Sequence, residues 1–360
     1  MLLMKKIFIA FTGPKIKQKS KVFKIAENFE CWDLDKFTLV NFVKAIKEKI
    51  PPLNKNVLNN YKLPKKSRSC WGLKDDHFKN CSWGLLLPDN VPDSCVDGYA
   101  EIIFLLNLFA SHFLYPVFYV TDFGVSRLPK KKDPFIYFHD QNQSNSFKSK
   151  DFFKFFNLLL PQSVYGSWYR DRAKKWNKED WRLFAACSLF MDLDHYENQK
   201  SSMWQREAAD MSTILEALFT AGDTTNEEIG YRLRKRIAVL SAFYFKDIET
   251  EVKKLYKQRC NFTHGGFYSD FFKAAKDDDS VSALPMPDFE FLYGQKEYVR
   301  FLLIGYLYIG KILKENPRYF GDANKVIQLL EQAIIDINLR NKIVKNLKAV
   351  YKLVPVGISL

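Results

Sequence analysis

The sequence predicts an α+β chain, with a mixed α/β domain over residues 1–170 followed by an all-α helical bundle over 175–360. Three observations predict it. Short β-branched and aromatic runs alternate with helical segments in the first half and are separated by proline-containing stretches. Beyond about residue 175, apolar residues recur at three-to-four spacing almost without interruption. Hydrophobic residues make up 47% of the chain, with 32 Phe and 18 Tyr, enough to bury a core in each half without disulfides.

In chain order, residues 1–13 predict a strand closed by Gly13-Pro14, and 21–29 a second. Phe37, Val40, Phe42, Val43 and Ile46 share one helical face within 35–49, and Pro51-Pro52 stops that helix. Residues 51–95 read as loop. Within them Trp71-Gly72-Leu73 and Trp83-Gly84-Leu85 repeat a small phrase, which predicts a local hairpin or packed loop. A helix over 97–114, a strand over 116–126 and a strand over 135–139 follow. Then come a polar surface loop over 141–150 and an apolar helix over 152–160 closed by Pro161.

The second half predicts a helix over 180–199, then one over 205–219 with Met211, Ile214, Leu215 and Leu218 as its stripe. Thr225 and Glu228 form a capping box for a helix over 227–245, which aligns Ile229, Leu233, Ile237, Leu240 and Tyr244. Asp247 suits the N-cap of the next helix. After an acidic, proline-containing loop come a long apolar helix over 296–316 and one final amphipathic helix. The stripe of that last helix is Val326, Leu330, Ala333, Ile337, Val344 and Leu347.

Charge narrows the partners. The net charge is +14, and residues 1–70 hold 16 Lys and Arg against 5 Asp and Glu. Such a surplus either attracts a polyanion such as RNA or is a solvated lysine-rich face; both readings stand. The first eleven residues are a poor signal peptide, because their lysines are misplaced and no small-residue cleavage site follows. The apolar stretches 101–120 and 301–313 read as buried elements, the first for its polar residues and the second for its length. The six cysteines have no CxxC spacing, which predicts reduced thiols, a cytoplasmic protein, and no zinc site at Cys70, His77, Cys81 and Cys95. Asp122-Phe123-Gly124 spells a kinase magnesium triplet, but no glycine-rich loop or catalytic loop accompanies it.

The stretch 255–266 carries the most chemistry. Ile248, Val252, Leu255, Arg259 and Phe262 share one helical face, so an arginine sits on a stripe that should meet a core or a partner. Five residues later His264 stands before Gly265-Gly266, glycines suited to a helix C-terminus. A fixed cation and a group titrating near neutrality form a plausible phosphate-chemistry pair. The bare R-x4-H spacing arises by chance at roughly 0.2 per chain of this composition, so its setting in a helical bundle carries the signal.

Ile214-Leu215-Glu216-Ala217-Leu218, then 231–238 (Tyr-Arg-Leu-Arg-Lys-Arg-Ile-Ala), then 255–265 with Arg259 and His264, resemble the HEPN superfamily. The resemblance is to the ApeA-like branch of abortive-infection defence proteins, and it covers roughly 180–350. It implies a HEPN-like bundle whose Arg259 and His264 are the catalytic pair of a metal-independent endoribonuclease needing no cofactor. It also implies RNA as substrate, a homodimer that shares the site, and a toxin-like role answering a phage-derived or cellular trigger. The family often has Asn directly after the arginine, where this chain has Cys260 and then Asn261. Asn261, Glu216 and Arg236 are the supporting candidates, Arg236 as part of an RNA-facing run with Arg232, Arg234 and Lys235.

The chemistry fits RNA. Its 2′-OH is a built-in nucleophile, so the protein has only to move protons and stabilise the phosphorane. Two structural readings compete: Arg259 pairing with an acid such as Glu216, and His264 capping helix carbonyls. A non-catalytic HEPN module and a helical adaptor are the corresponding alternatives in function.

Overall fold

The computed structural model describes residues 8–12, 16–17, 20–26, 29–49, 78–79, 81–86, 104–109, 115–121, 124–127, 147–159, 178–193, 203–220, 229–241, 248–263, 289–315 and 325–354. The chain divides into two compact units. One is Met1–Leu160 with Leu353–Pro355, the other Pro161–Lys352 with Val356–Leu360.

The first unit is built on a six-stranded sheet in the order β3-β4-β5-β1-β6-β7, with every pairing antiparallel. Its strands are β1 (Phe8–Thr12), β3 (Val22–Ala26), β4 (Phe29–Asp33), β5 (Trp83–Leu86), β6 (Tyr115–Thr121) and β7 (Gly124–Arg127). Two short strands, β2 (Ile16–Lys17) and β8 (Phe147–Lys148), pair in parallel. Phe8, Ile9, Ala10 and Phe11 are all buried, so successive side chains of β1 enter packing on both faces of the sheet. On one face, Phe42, Val43 and Ile46 of α1 (Leu39–Lys49) pack with Phe8, Trp32 and Phe118. In α2 (Ser149–Leu159), Phe152 and Phe155 close on Phe109 with ring centroids 5.0 and 5.2 Å apart.

Four expectations change here. The phrase Trp83-Gly84-Leu85 is an interior strand, paired with β1 on one side and β4 on the other. Gly84 is required there, since a Cβ would run into the Phe8 ring. The strand expected over 21–29 is two strands, and Glu30 and Asp33 hid the second. Those acids are neutralised by Lys49 at 2.9 Å and Lys36 at 3.0 Å. The strand expected over 116–126 is the β6–β7 hairpin, whose register closes on Thr121 opposite Gly124. The loop expected over 141–150 ends in β8 and the first turn of α2. The strand expected over 135–139 and the first Trp-Gly-Leu phrase lie outside the described residues.

The second unit is helical throughout its described residues. It comprises α3 (Lys178–Asp192), α4 (Met203–Phe219), α5 (Ile229–Ser241), α6 (Ile248–Thr263), α7 (Phe289–Glu315), α8 (Lys325–Ile335) and α9 (Ile337–Tyr351). The expected stripes are buried: Met211, Ile214, Leu215 and Leu218 on α4, and Leu233, Ile237 and Leu240 on α5. The single final helix is a correction, because it breaks at Asp336. That aspartate accepts hydrogen bonds from the backbone N–H of Asn338 at 2.8 Å and Leu339 at 3.1 Å, starting α9 afresh. The expected stripe does not run through the break: Ile337 is 67% exposed and Val344 half-buried, and the buried face of α9 is Ile343, Leu347, Val350 and Tyr351. α7 and α9 meet at Gly305, over which the Tyr351 hydroxyl donates to the Phe301 carbonyl at 3.0 Å. At the coarse level the fold is α+β. No helix among the described residues is long and apolar enough to cross a membrane.

Candidate functional site at the end of α6

α6 lies against both α4 and α5. Val252 and Leu255 are buried in this packing, as the stripe predicts. The Ser212 hydroxyl of α4 donates to the Leu255 carbonyl at 3.3 Å, and one turn further along both helices Glu216 meets Arg259. Equal steps in the same sense mean that α4 and α6 run parallel. α5 runs antiparallel to them: Lys235 binds Glu249 near the start of α6, while Gly230 faces Tyr256 near its end. The last turns of α4 and α6 and the first turn of α5 therefore converge.

Arg259 is the centre of that convergence. Its guanidinium nitrogen lies 3.1 Å from a Glu216 carboxylate oxygen, with 29% of the arginine side chain and 19% of the glutamate side chain exposed. Its guanidinium also stands 5.5 Å from the centroid of the Tyr256 ring, one turn back on the same helix. The charge is thus oriented by a carboxylate on one helix and an aromatic ring on its own. Burial raises Glu216 above the usual carboxylate range, and the opposing pull of Arg259 does not cancel it. Tyr256 is also raised, first by burial and then by the Glu216 carboxylate. A half-buried guanidinium held at a helix end can bind a phosphoryl oxygen through charge-assisted hydrogen bonds.

The expected residues divide clearly. Arg259 and Glu216 come together. Asn261 lies in the final turns of α6, and its side chain is outside the described residues, as is His264. Arg236 is corrected. It is 1% exposed, so it belongs to no RNA-facing surface. Its guanidinium donates to the Phe219 carbonyl at the end of α4 and pairs with Glu331 of α8, tying three helices together. Spacing placed it beside solvated arginines, but Ile237 and Leu233 pull that side of α5 inward. Tyr256 was missed, although its i, i+3 relation to Arg259 was a readable signal.

Cys31, Cys81 and Cys187 are buried free thiols and Cys260 is a half-buried one. Burial pushes the Cys81 thiol up to about 12. Among the described residues no cluster of His, Cys, Asp or Glu is arranged to hold a metal ion. No protein-family model matches the chain, and neither does any curated protein or solved structure.

Proposed function

We propose that the helical unit is a metal-independent endoribonuclease of HEPN type. In this reading Arg259 stabilises the phosphorane, and His264 moves the proton between the 2′-OH and the leaving 5′-oxygen. The observation that carries it is the presentation of Arg259: a partly buried side chain whose guanidinium is held by Glu216 and Tyr256 near the end of α6, five residues before a histidine. Glu216 and Tyr256 act as positioning groups that fix the guanidinium before substrate arrives. One histidine serves poorly as base and acid in the same step. An isologous dimer that joined two α6 ends would supply a second. The products are a 2′,3′-cyclic phosphate and a 5′-OH. The chain then acts as a toxin-like effector in anti-phage defence, with the N-terminal unit sensing a trigger or selecting the RNA.

The Arg259–Glu216 pair itself favours a second reading, in which the arginine only joins α4 to α6 and the unit binds RNA without cutting it or serves as a helical adaptor. Purified chain incubated with RNA and with DNA of matched sequence, in EDTA, separates the two. The ribonuclease reading expects RNA alone to be cut and growth to stop on expression. RNA bound but never cut supports the non-catalytic module, and neither binding nor cutting supports the adaptor.

A further inference from the structure

Beside the Arg259 cluster an aromatic ring stands in solvent. The exposed aromatic side chains among the described residues are Phe153 of α2, Trp181 of α3 and Tyr231 of α5. Phe153 belongs to the first unit, and Trp181 meets Phe184 edge-on with ring centroids 6.3 Å apart. Tyr231 is 53% exposed, and among the described residues it packs against no other ring. The face that α5 gives to the core is Leu233, Ile237 and Leu240, and Tyr231 is not on it.

The helix packing sets its place. Tyr231 lies in the first turn of α5, which converges with the ends of α4 and α6. A Cβ at its neighbour Gly230 would lie 4.0 Å from the Tyr256 ring, whose centroid is 5.5 Å from the Arg259 guanidinium. With about 3.8 Å between adjacent Cα atoms, the Tyr231 backbone is within about 16 Å of that guanidinium. A stacked strand covers this distance in about five nucleotides, and an extended one in fewer.

The ring is also oriented. Lys235, one turn along α5, holds its ammonium 5.6 Å from the Tyr231 ring centroid. That lysine is tied in turn to Glu249 of α6 at 3.0 and 3.2 Å. The ring is thus steered by an anchored cation without being enclosed. A tyrosine has only two side-chain torsions to fix, so little entropy is lost when a flat group stacks on it.

We infer that Tyr231 is a stacking platform for one unpaired base of single-stranded RNA, a few nucleotides from the phosphate held by Arg259. Every base offers a π-face, so the contact grips the strand without reading its sequence. A paired base is already stacked in its duplex, so the platform favours single strands. The inference rests on the ribonuclease reading for its choice of RNA, and it adds the substrate class and the residue that selects it.

The test is an anisotropy titration with the full chain in EDTA, in a His264→Ala background so that no cutting intervenes. Tyr231→Phe and Tyr231→Ala are compared with this parent, all matched for melting temperature. The probes are a labelled single-stranded RNA, the same strand with every base removed, and the RNA duplex. Tyr231→Ala should bind the single strand about tenfold more weakly, the effect of one lost base–aromatic stack, while Tyr231→Phe stays within about twofold. Both variants should match the parent on the abasic strand and on the duplex. Equal loss on all three probes overturns the inference, because the ring would then act on the backbone or on the fold. Equal loss in the two variants overturns it in favour of a hydroxyl contact. No loss in Tyr231→Ala, or a parent that binds no RNA, overturns it as well. Cleavage is scored separately on the chain with His264 intact. Ring-dependent binding without cleavage retains the platform and removes the ribonuclease reading, whereas cleavage without ring-dependent binding removes the platform alone.

Discussion

Arg259 of α6 and Glu216 of α4 form an ion pair at 3.1 Å at the convergent ends of two parallel helices, and the glutamate is nevertheless held above the usual carboxylate range. Burial therefore outweighs the guanidinium in setting its ionisation. The sign of the consequence is specific. A carboxyl with a raised folded value contributes stability that is fully present below its unfolded value of about 4.3, and that is lost as pH rises through the folded value. Wild type should lose stability relative to Glu216→Gln as pH increases from 4 to 7, measured as the difference in melting temperature. A site in which the ion pair dominated would give the opposite slope.

Arg236 should be far more sensitive than its partner. Removing its guanidinium strands the Phe219 carbonyl and empties a buried position, so Arg236→Ala should cost about 3–5 kcal/mol in urea unfolding. Glu331 keeps 48% of its side chain exposed, and Glu331→Ala should cost about 1 kcal/mol or less. Equal losses would mean that the pair, rather than the buried arginine, stabilises the bundle.

Gly305 and Tyr351 should be coupled. A methyl group at Gly305 would collide with the Tyr351 hydroxyl, with Leu240 Cδ1 at 3.6 Å also in the way. Overpacking of this kind costs about 1–3 kcal/mol, against a helix-propensity gain of about 1 kcal/mol for alanine. Gly305→Ala should destabilise wild type, and its cost should shrink in a Tyr351→Phe background, where the hydroxyl is gone. A double-mutant cycle reads the difference. Additive costs would contradict the contact.

The cap at Asp336 predicts a smaller effect. Losing its bonds to Asn338 and Leu339 should cost about 0.5–2 kcal/mol in Asp336→Ala, while Asp336→Asn should retain most of the stability. Equal loss in both variants would assign the effect to charge rather than to the cap.

The helices were legible because their stripes are long and periodic. Met211, Ile214, Leu215 and Leu218 are buried as their spacing requires, and so are Val252 and Leu255. The sheet was less so. β5 is only four residues long and includes a glycine whose purpose, room for the Phe8 ring, depends on a partner 76 positions away in sequence. Around Asp336 the apolar spacing from Ala333 to Ile337 still reads as helical in the sequence, so the α8–α9 break was invisible too, although Ile337 is exposed and α9 buries Ile343 and Leu347 instead. At the candidate site the Arg259–Glu216 pairing was foreseeable, since acid and base sit on neighbouring amphipathic helices. The burial of Arg236 was not, because four basic residues within five positions give no sign of which one turns inward.

The central claim is that Arg259 and His264 cut RNA at its own 2′-OH. The most direct measurement is single-turnover cleavage of a single-stranded RNA in EDTA by wild type, Arg259→Ala and His264→Ala, each matched for melting temperature. A substrate with one 2′-deoxy nucleotide at the mapped cut is run alongside. The account predicts a 2′,3′-cyclic phosphate and a 5′-OH from wild type and a loss of about 10²-fold or more in either variant. It predicts no cleavage at the deoxy position. Wild-type rates in both folded variants, or cleavage at the deoxy position, would contradict it.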